Sequence, residues 1–95
     1  MDFEWDPEKA DSNSAKHRVT FQEAATVFGD PLAVTYVDPD HSEDEDRYLT
    51  FGLSSDRVPL IVAHTGRDNT LRIISARRMN RRERKAHEEG QDRGE

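Results

Sequence analysis

The N-terminal residues have the pattern of a short strand followed by a helix. Phe3 and Trp5 alternate with acidic residues, which predicts a strand with one apolar face. Asp6 followed by Pro7 is typical of a helix start, with the aspartate as the cap and the proline in the first turn. A helix is therefore expected from there to His17. It carries few apolar residues, so it must be a surface helix that depends on tertiary contacts.

A second helix is predicted over residues 20–28. Thr20 and Glu23 have the spacing of a capping box, and an apolar stripe follows at i, i+3, i+4 and i+7. Gly29 is expected to end the helix in the left-handed conformation. The stripe indicates packing against a sheet. It consists of Phe21, Ala24, Ala25 and Phe28.

Four further segments have the composition of strands. The third of them, Pro59 to Thr65, is almost continuously apolar, which is typical of a strand covered on both faces. The links between the last three segments are short and rich in turn-forming residues, so an antiparallel meander is predicted. The segments are Leu32–Val37, Arg47–Leu53, Pro59–Thr65 and Leu71–Ala76.

The last strand leads into the most cationic part of the chain. Strict alternation would place Ile73 and Arg77 on one face of this strand and Arg72 on the other. Asn80 and Glu83 have the spacing of another helix start, so a basic C-terminal helix is predicted. Six basic residues fall within nine positions. They are Arg77, Arg78, Arg81, Arg82, Arg84 and Lys85.

Together these elements predict an α+β fold. A small antiparallel sheet of about four to five strands would carry two N-terminal helices and one basic C-terminal helix. The length of 95 residues fits one domain, expected over residues 1–89 with a disordered tail at 90–95. A hydrophobic fraction of only 33 % implies a modest core.

The composition also limits the cellular compartment in which the chain is expected and the kinds of chemistry that it can carry out. The chain has no cysteine, which excludes disulfides and thiolate metal sites and fits a cytoplasmic location. No apolar run approaches the roughly 20 residues of a membrane span. The N-terminus is acidic and lacks the pattern of a signal peptide.

The net charge of −6 is unevenly distributed. Residues 1–50 carry 13 acidic and 4 basic side chains, whereas residues 51–95 carry 7 acidic and 10 basic ones. The stretch Asp38–Asp46 alternates oxygen-bearing residues, but Glu43 and Leu49 stand where a calcium loop of the EF-hand type needs glycine and glutamate. A solvated acidic loop is the favoured interpretation. The acidic half could face a basic partner protein.

The basic cluster suits a polyanion, and RNA is the first candidate. An equally open interpretation is a solvated charged helix, since Arg84 and Lys85 each have a glutamate four residues later. Cleavage of RNA through its own 2′-hydroxyl needs proton transfer and positive charge at the phosphorus. The candidates for phosphate are Arg72, Arg77, Arg78, Arg81 and Arg82, and those for proton transfer are Lys16, His17, His64 and Glu83. His64 is equally open to a purely structural role.

Five pieces of the sequence, in order across residues 3–89, resemble the BrnT family of toxins from bacterial type II toxin–antitoxin systems. They read FEWDPEKA at 3–10, KH at 16–17, TFQEAATVFGDP at 20–31, DPDHSEDEDR at 38–47 and RIISARR…RRERK at 72–85. Two positions depart from the family pattern: Arg18 stands where a glycine follows the histidine, and His87 stands where an aromatic residue is often found near the end of the last helix. The sequence pI of about 5.2 is also low for a ribosome-associated nuclease of this fold.

The resemblance implies a fold like that of RelE ribonucleases and inhibition of translation by RNA cleavage. The lack of cysteine and of paired carboxylates or histidines at ligand spacing predicts that no metal is needed, and no organic cofactor is expected. Arg84 and Lys85 are expected to be solvated supporting residues of the RNA site. The implied partner is a BrnA-like antitoxin with a ribbon-helix-helix DNA-binding part, through which operator DNA would be bound. Two alternatives remain at this point: a non-catalytic co-repressor in the antitoxin complex, or an RNA-binding module that does not cut.

Overall fold

The computed structural model describes residues 1–40 and 46–92 of the chain, which form five strands and three helices. In chain order they are β1 (Asp2–Glu4), α1 (Pro7–His17), α2 (Phe21–Thr26), β2 (Val34–Val37), β3 (Arg47–Leu53), β4 (Pro59–Arg67), β5 (Thr70–Arg78) and α3 (Arg81–Asp92). A short 3-10 turn, Val27–Gly29, extends α2. The predicted α+β fold with two N-terminal helices and a basic C-terminal helix is confirmed.

Two predicted segments fall partly or wholly outside this description. Residues 41–45 of the acidic stretch are outside the described residues, so the solvated acidic loop stays a prediction. At the C-terminus, α3 runs to Asp92, past Gly90, where the tail was expected to begin. Residues 93–95 lie outside the described part.

The sheet is mixed rather than wholly antiparallel. Its strand order is β1-β5-β4-β3-β2, and β3, β4 and β5 form the predicted antiparallel meander. The correction concerns β1, which pairs with β5 in parallel. No hairpin joins these two strands, so nothing in the local sequence fixes their relative direction. The β4–β5 connection is also tighter than predicted, because only Asp68 and Asn69 separate the two strands.

The hydrophobic core lies between one face of the sheet and the helices α1 and α2. Phe21 is fully buried and meets the ring of Trp5 edge-on, with centroids 5.9 Å apart. Phe28, the last member of the predicted stripe, is only half-buried against this core. The fully or nearly buried members of the core are Val19, Phe21, Ala24, Val27, Leu60, Val62, Leu71, Ile73 and Ala76.

The buried side chain of Asn13 fastens α1 to the sheet. Its amide nitrogen donates to the carbonyl oxygens of Val19 at 3.1 Å and of Ala76 at 2.8 Å. Its Oδ1 accepts from the backbone N–H of Ala76 at 3.0 Å. A helix with little apolar surface is thus held by three hydrogen bonds from one residue, which the apolar pattern could not reveal.

The predicted helix starts are confirmed, but the predicted end of α2 is wrong. The side chain of Asp6 accepts from the N–H of Glu8, and that of Thr20 accepts from the N–H of Glu23. Gly29 does not adopt a left-handed conformation, because the helix tightens into the 3-10 turn instead. That turn lies close to β3. A Cβ on Gly52 would come within 2.9 Å of the Ala33 Cβ, so glycine is required there.

A bulge in β5 decides which face of the sheet its residues occupy. His64 of β4 pairs with Ile73, whereas Ala63 pairs with Ser75, which leaves Ile74 as an extra residue. The extra residue shifts the alternation by one position. As a result Ile73 and Ala76 are both buried in the core. The predicted alternation is therefore wrong beyond Ile74, and Arg72 and Arg77 lie on the same face of the sheet, opposite the core. We call this the open face.

We expect Asn13→Ala to lower the free energy of unfolding by about 3 kcal/mol, because it leaves backbone groups of Ala76 and Val19 buried without partners. For a domain of this size the melting temperature should fall by more than about 10 °C. Thermal unfolding followed by circular dichroism measures this change. Ser12→Ala, at an exposed neighbouring position of α1, is the matched control. Equal melting temperatures for the two variants would contradict the anchoring role.

Candidate active site

The open face carries a cavity of about 170 Å³ beside the end of β5. It collects residues from α1, three strands and the first turn of α3, elements that are far apart in the sequence. We call it the Arg77 cavity. Its lining residues are His17, Leu49, Phe51, Ile61, Ala63, Ser75, Ala76, Arg77 and Glu83.

The floor of the Arg77 cavity is an apolar part of the sheet. Phe51, Ile61 and Arg77 lie directly opposite one another on β3, β4 and β5, and Leu49, Ala63 and Ser75 form the next row. Ile61 and Ala63 are only 5 % and 7 % exposed. A charged group at the rim is therefore bordered on one side by surface that cannot solvate it, which strengthens its attraction for an anion.

Arg77 is held at the rim by Glu83 in a two-pronged ion pair. Its Nη1 donates to Oε1 of Glu83 at 2.8 Å and its Nη2 donates to Oε2 at 2.7 Å. Glu83 is itself fixed by the predicted capping box of α3. Its Oε1 accepts from the N–H of Asn80, and its own N–H donates to Asn80 Oδ1, both at 2.8 Å. The start of α3 thus orients the guanidinium group of the last residue but one of β5.

This ion pair favours the charged form of both partners. The hydrogen bond to Arg77 lowers the pKa of Glu83 below its ordinary value, and the bond from the Asn80 backbone acts in the same direction. The same bond raises the pKa of Arg77. Glu83 is therefore ionised at neutral pH and already occupied as an acceptor. Its position suits orienting Arg77 better than donating a proton.

His17 reaches the Arg77 cavity from the end of α1. The helix ends at Arg18, which has φ of 58° and ψ of 35°, and its N–H donates to the Ser14 carbonyl. This is the left-handed conformation in which glycine costs least, so the glycine of the family pattern has a physical reason. Lys16 is exposed on the last turn and does not line the cavity.

The other predicted arginines are spread over several surfaces. Arg72 lies on the open face, but five residues before Arg77, roughly 16 Å along an extended strand. It lies 3.7 Å from the carboxylate of Glu4 in β1. Arg78 pairs with the core residue Leu60, so it points to the opposite face. Four exposed basic residues follow in the first turns of α3, and none lines the cavity. They are Arg81, Arg82, Arg84 and Lys85.

His64 lies on the core face of the sheet, away from the Arg77 cavity. Its ring meets Phe28 edge-on and stacks on Tyr48, and its Nε2 lies 2.7 Å from Oγ1 of Thr50. Burial lowers the pKa of His64 to about 4, so the ring is neutral at physiological pH. This environment favours the structural role over proton transfer.

The sequence reasoning missed the apolar floor of the cavity. Strand alternation places Leu49 and Phe51 on one face of β3, but the sequence does not indicate that this face is open and adjoins Arg77. His17 was among the predicted site residues, but the sequence does not indicate which of the arginines lines the same cavity. The separation of His17 from Arg77, 60 positions along the chain, explains why.

In residues 1–40 and 46–92, no three histidine, aspartate or glutamate side chains are grouped so that they could hold a metal ion. None of the helices in the described part is long and apolar enough to cross a membrane.

The fold and the cavity define a small α+β domain with an arginine-bearing groove on an open sheet face. The family model for "Ribonuclease toxin, BrnT, of type II toxin-antitoxin system" matches residues 5–83. The chain therefore belongs to the BrnT family of ribonuclease toxins.

The fold is also similar to a solved structure, the 1.1 Å crystal structure of the Brucella abortus ribonuclease toxin BrnT. The TM-score is 0.63 with 21 % sequence identity, and the similarity covers 85 % of this chain and 99 % of that one. No curated protein sequence matches the chain.

The Arg77–Glu83 pair predicts a pH-dependent contribution to stability. Because the folded pKa of Glu83 is lowered, its contribution is fully present above the ordinary value of 4.5 and is lost as the pH falls through the folded value. Glu83→Gln keeps an acceptor for the Asn80 N–H but removes the charge. At neutral pH it should cost under about 1 kcal/mol, as exposed ion pairs do.

Melting curves of both proteins from neutral to acidic pH measure this difference. It should be constant near neutral pH and vanish once Glu83 is protonated in the folded protein. Glu88→Gln changes another carboxylate of α3 and serves as the control. A difference between wild type and Glu83→Gln that grows on acidification would contradict the assignment.

Proposed function

We propose that this chain is an endoribonuclease that cleaves RNA at the Arg77 cavity without a metal ion, and that it inhibits translation in the cytoplasm in this way. The observation that supports the proposal is the meeting of His17, Arg77 and Glu83 at one cavity on the open face. The family to which the chain belongs is named for ribonuclease activity, and these three residues carry suitable chemistry.

Arg77 would stabilise the negative charge that develops on the phosphate when the 2′-hydroxyl attacks. A guanidinium fork matches two phosphate oxygens, and it carries its charge at every physiological pH. Glu83 accepts one N–H of each terminal nitrogen, and the carbonyl oxygen of Arg78 accepts the second N–H of Nη1 at 3.3 Å. One N–H of Nη2 and the N–H of Nε remain for the phosphate. The remaining N–H groups stay directed by this fixed geometry, so no reorganisation is needed during the reaction.

His17 is the proposed proton-transfer residue. An imidazole can both accept and donate a proton, and this one lines the same cavity as the guanidinium group that would hold the phosphate. Arg81 and Arg82 start α3 next to the cavity rim and would bind neighbouring phosphates. The exposed side chains of Arg78, Arg84 and Lys85 would add screened attraction only. For Arg72 we propose the same supporting role.

A BrnA-like antitoxin is the proposed partner. Type II systems pair the toxin with a protein antitoxin, and here a ribbon-helix-helix antitoxin would neutralise the chain and bind the operator DNA. We further propose that its neutralising segment covers the basic edge at Arg77–Arg82, so that antitoxin and RNA compete.

Cleavage of a defined RNA by the purified chain should persist in EDTA and leave a 2′,3′-cyclic phosphate or 3′-phosphate end. The arginine charge, rather than a metal, is expected to stabilise the transition state. Gel analysis with end-group mapping tests this. Activity that EDTA abolishes and magnesium restores would contradict the mechanism.

The same assay separates the alternative functions. RNA that is bound but not cut would favour a binding module. A chain without any effect on RNA that tightens operator binding by the antitoxin would favour a co-repressor.

Arg77→Ala should lower the single-turnover cleavage rate by about 100- to 1000-fold, the loss typical of one transition-state donor. Arg84→Ala, at an exposed position of the same basic cluster, should lose less than about 5-fold. Arg77→Lys keeps the positive charge but not the two-pronged guanidinium group, so its cleavage rate should lie between those of the two alanine variants. Melting temperatures establish that each variant is folded. Full activity of Arg77→Ala beside a crippled Arg84→Ala would show that the site lies elsewhere.

A further inference from the structure

The two edges of the sheet are protected very differently. At one edge, β1 is three residues long and two of them are charged, because Asp2 and Glu4 flank Phe3. At the other edge, β2 reads VTYV and carries no charge and no proline. Its pairing with β3 contains no bulge. Natural proteins use short strands, charge, proline or bulges to prevent edge strands from pairing with other chains, and the four residues of β2 include no charge, proline or bulge.

β2 is also the most apolar exposed part of the surface. Among the described residues, four of the six exposed large hydrophobic side chains lie within residues 32–37. Tyr36 is 55 % exposed and Val37 is 61 % exposed, and the other two are Leu32 and Val34. Val34 and Tyr36 lie on the open face and Val37 on the other, so apolar side chains border the edge on both faces of the sheet. Exposed large hydrophobic side chains grouped in this way favour an interaction site.

Free backbone groups accompany this apolar surface. The N–H of Asp38 donates to the carbonyl of Arg47 in β3. By the alternation of an antiparallel ladder, the backbone groups of Tyr36 and Val34 also point toward β3, and those of Thr35 and Val37 point outward. Within the described residues no strand pairs with this outer edge. It therefore offers two N–H and two carbonyl groups to an extended chain.

Charge selects among possible occupants of this edge. The connection that leaves β2, residues 38–46, contains six acidic residues. Of the three in the described part, Asp38 is buried, and Asp40 and Asp46 are exposed. Two copies of an edge flanked in this way would repel each other, and the phosphates of RNA would be repelled too. A segment rich in lysine or arginine would be attracted.

We propose that β2 is a docking site at which a basic, extended segment of a partner protein adds a sixth strand to the sheet. This proposal rests on the proposed function in one respect, because it takes the antitoxin as that partner. The row Val34, Phe51, Ile61 and Arg77 connects the edge to the Arg77 cavity across three strand spacings, about 14 Å. One chain could therefore pair with β2 and still reach the cavity.

The test compares Val37→Pro with Val37→Thr in binding the antitoxin of the same operon. Proline removes an outward N–H at an edge position that tolerates it, whereas threonine keeps the N–H and the branched side chain. Val37→Pro should weaken binding at least about ten-fold relative to Val37→Thr, equivalent to about 1.4 kcal/mol. Both variants should melt like the wild type and cleave RNA equally, since Val37 lies outside the cavity.

Amide exchange of the wild-type complex gives an independent readout. The N–H groups of Thr35 and Val37 should become protected on antitoxin binding. Replacing Asp40 and Asp46 by asparagine should weaken binding several-fold at low salt, and this difference should disappear near about 0.5 M salt.

Each contrary result has a separate meaning. Equal antitoxin affinity of Val37→Pro and Val37→Thr, with Thr35 and Val37 still exchanging freely in the complex, would overturn the docking site even if RNA cleavage is intact. Protection of these amides by RNA, or by dimerisation of the free chain in sedimentation, would overturn the choice of occupant. Loss of RNA cleavage in every form of the protein would overturn the proposed function alone.

Discussion

A single extra residue in β5 sets the arrangement of the whole molecule. Because Ile74 has no partner in β4, the residues after it exchange faces relative to a regular strand. This allows Ala76 to enter the core, where its backbone receives Asn13 of α1, while Arg77 emerges on the open face. Without the bulge, strand alternation would place Arg77 on the core face and Ala76 on the open face, which would remove both the Asn13 anchor and the Arg77 cavity.

The pairing of Arg77 with Glu83 gives the proposed anion site of this acidic protein a fixed geometry. The net charge of −6 opposes the approach of a polyanion, so attraction must be local. The ion pair neutralises part of the local charge, yet it fixes the direction of the remaining donors. In the proposed site, geometry is thereby gained at the expense of affinity, and the exposed arginines at the start of α3 would supply the attraction.

The elements of the fold were largely predictable from local pattern. The bounds of β3 and the start of α3 at the Asn80–Glu83 box agree with the pattern, because alternation and capping depend on neighbours in the sequence. The parallel pairing of β1 and the 3-10 end of α2 were not predictable. The first depends on a strand almost 70 residues away, and the second on the close approach of the 3-10 turn to Gly52.

For the candidate site, the sequence alone determined the chemistry that is available: a dense arginine cluster, a histidine at a helix end and a carboxylate in a capping box. It also carried the family resemblance, since that depends on the order of local motifs. Only the tertiary structure decided which of these groups meet. It joined His17 to Arg77 across 60 residues and placed His64 and Arg78 on the core face. The physical reason is that strand register and the bulge are set by packing of the whole sheet, to which each residue contributes only a small part.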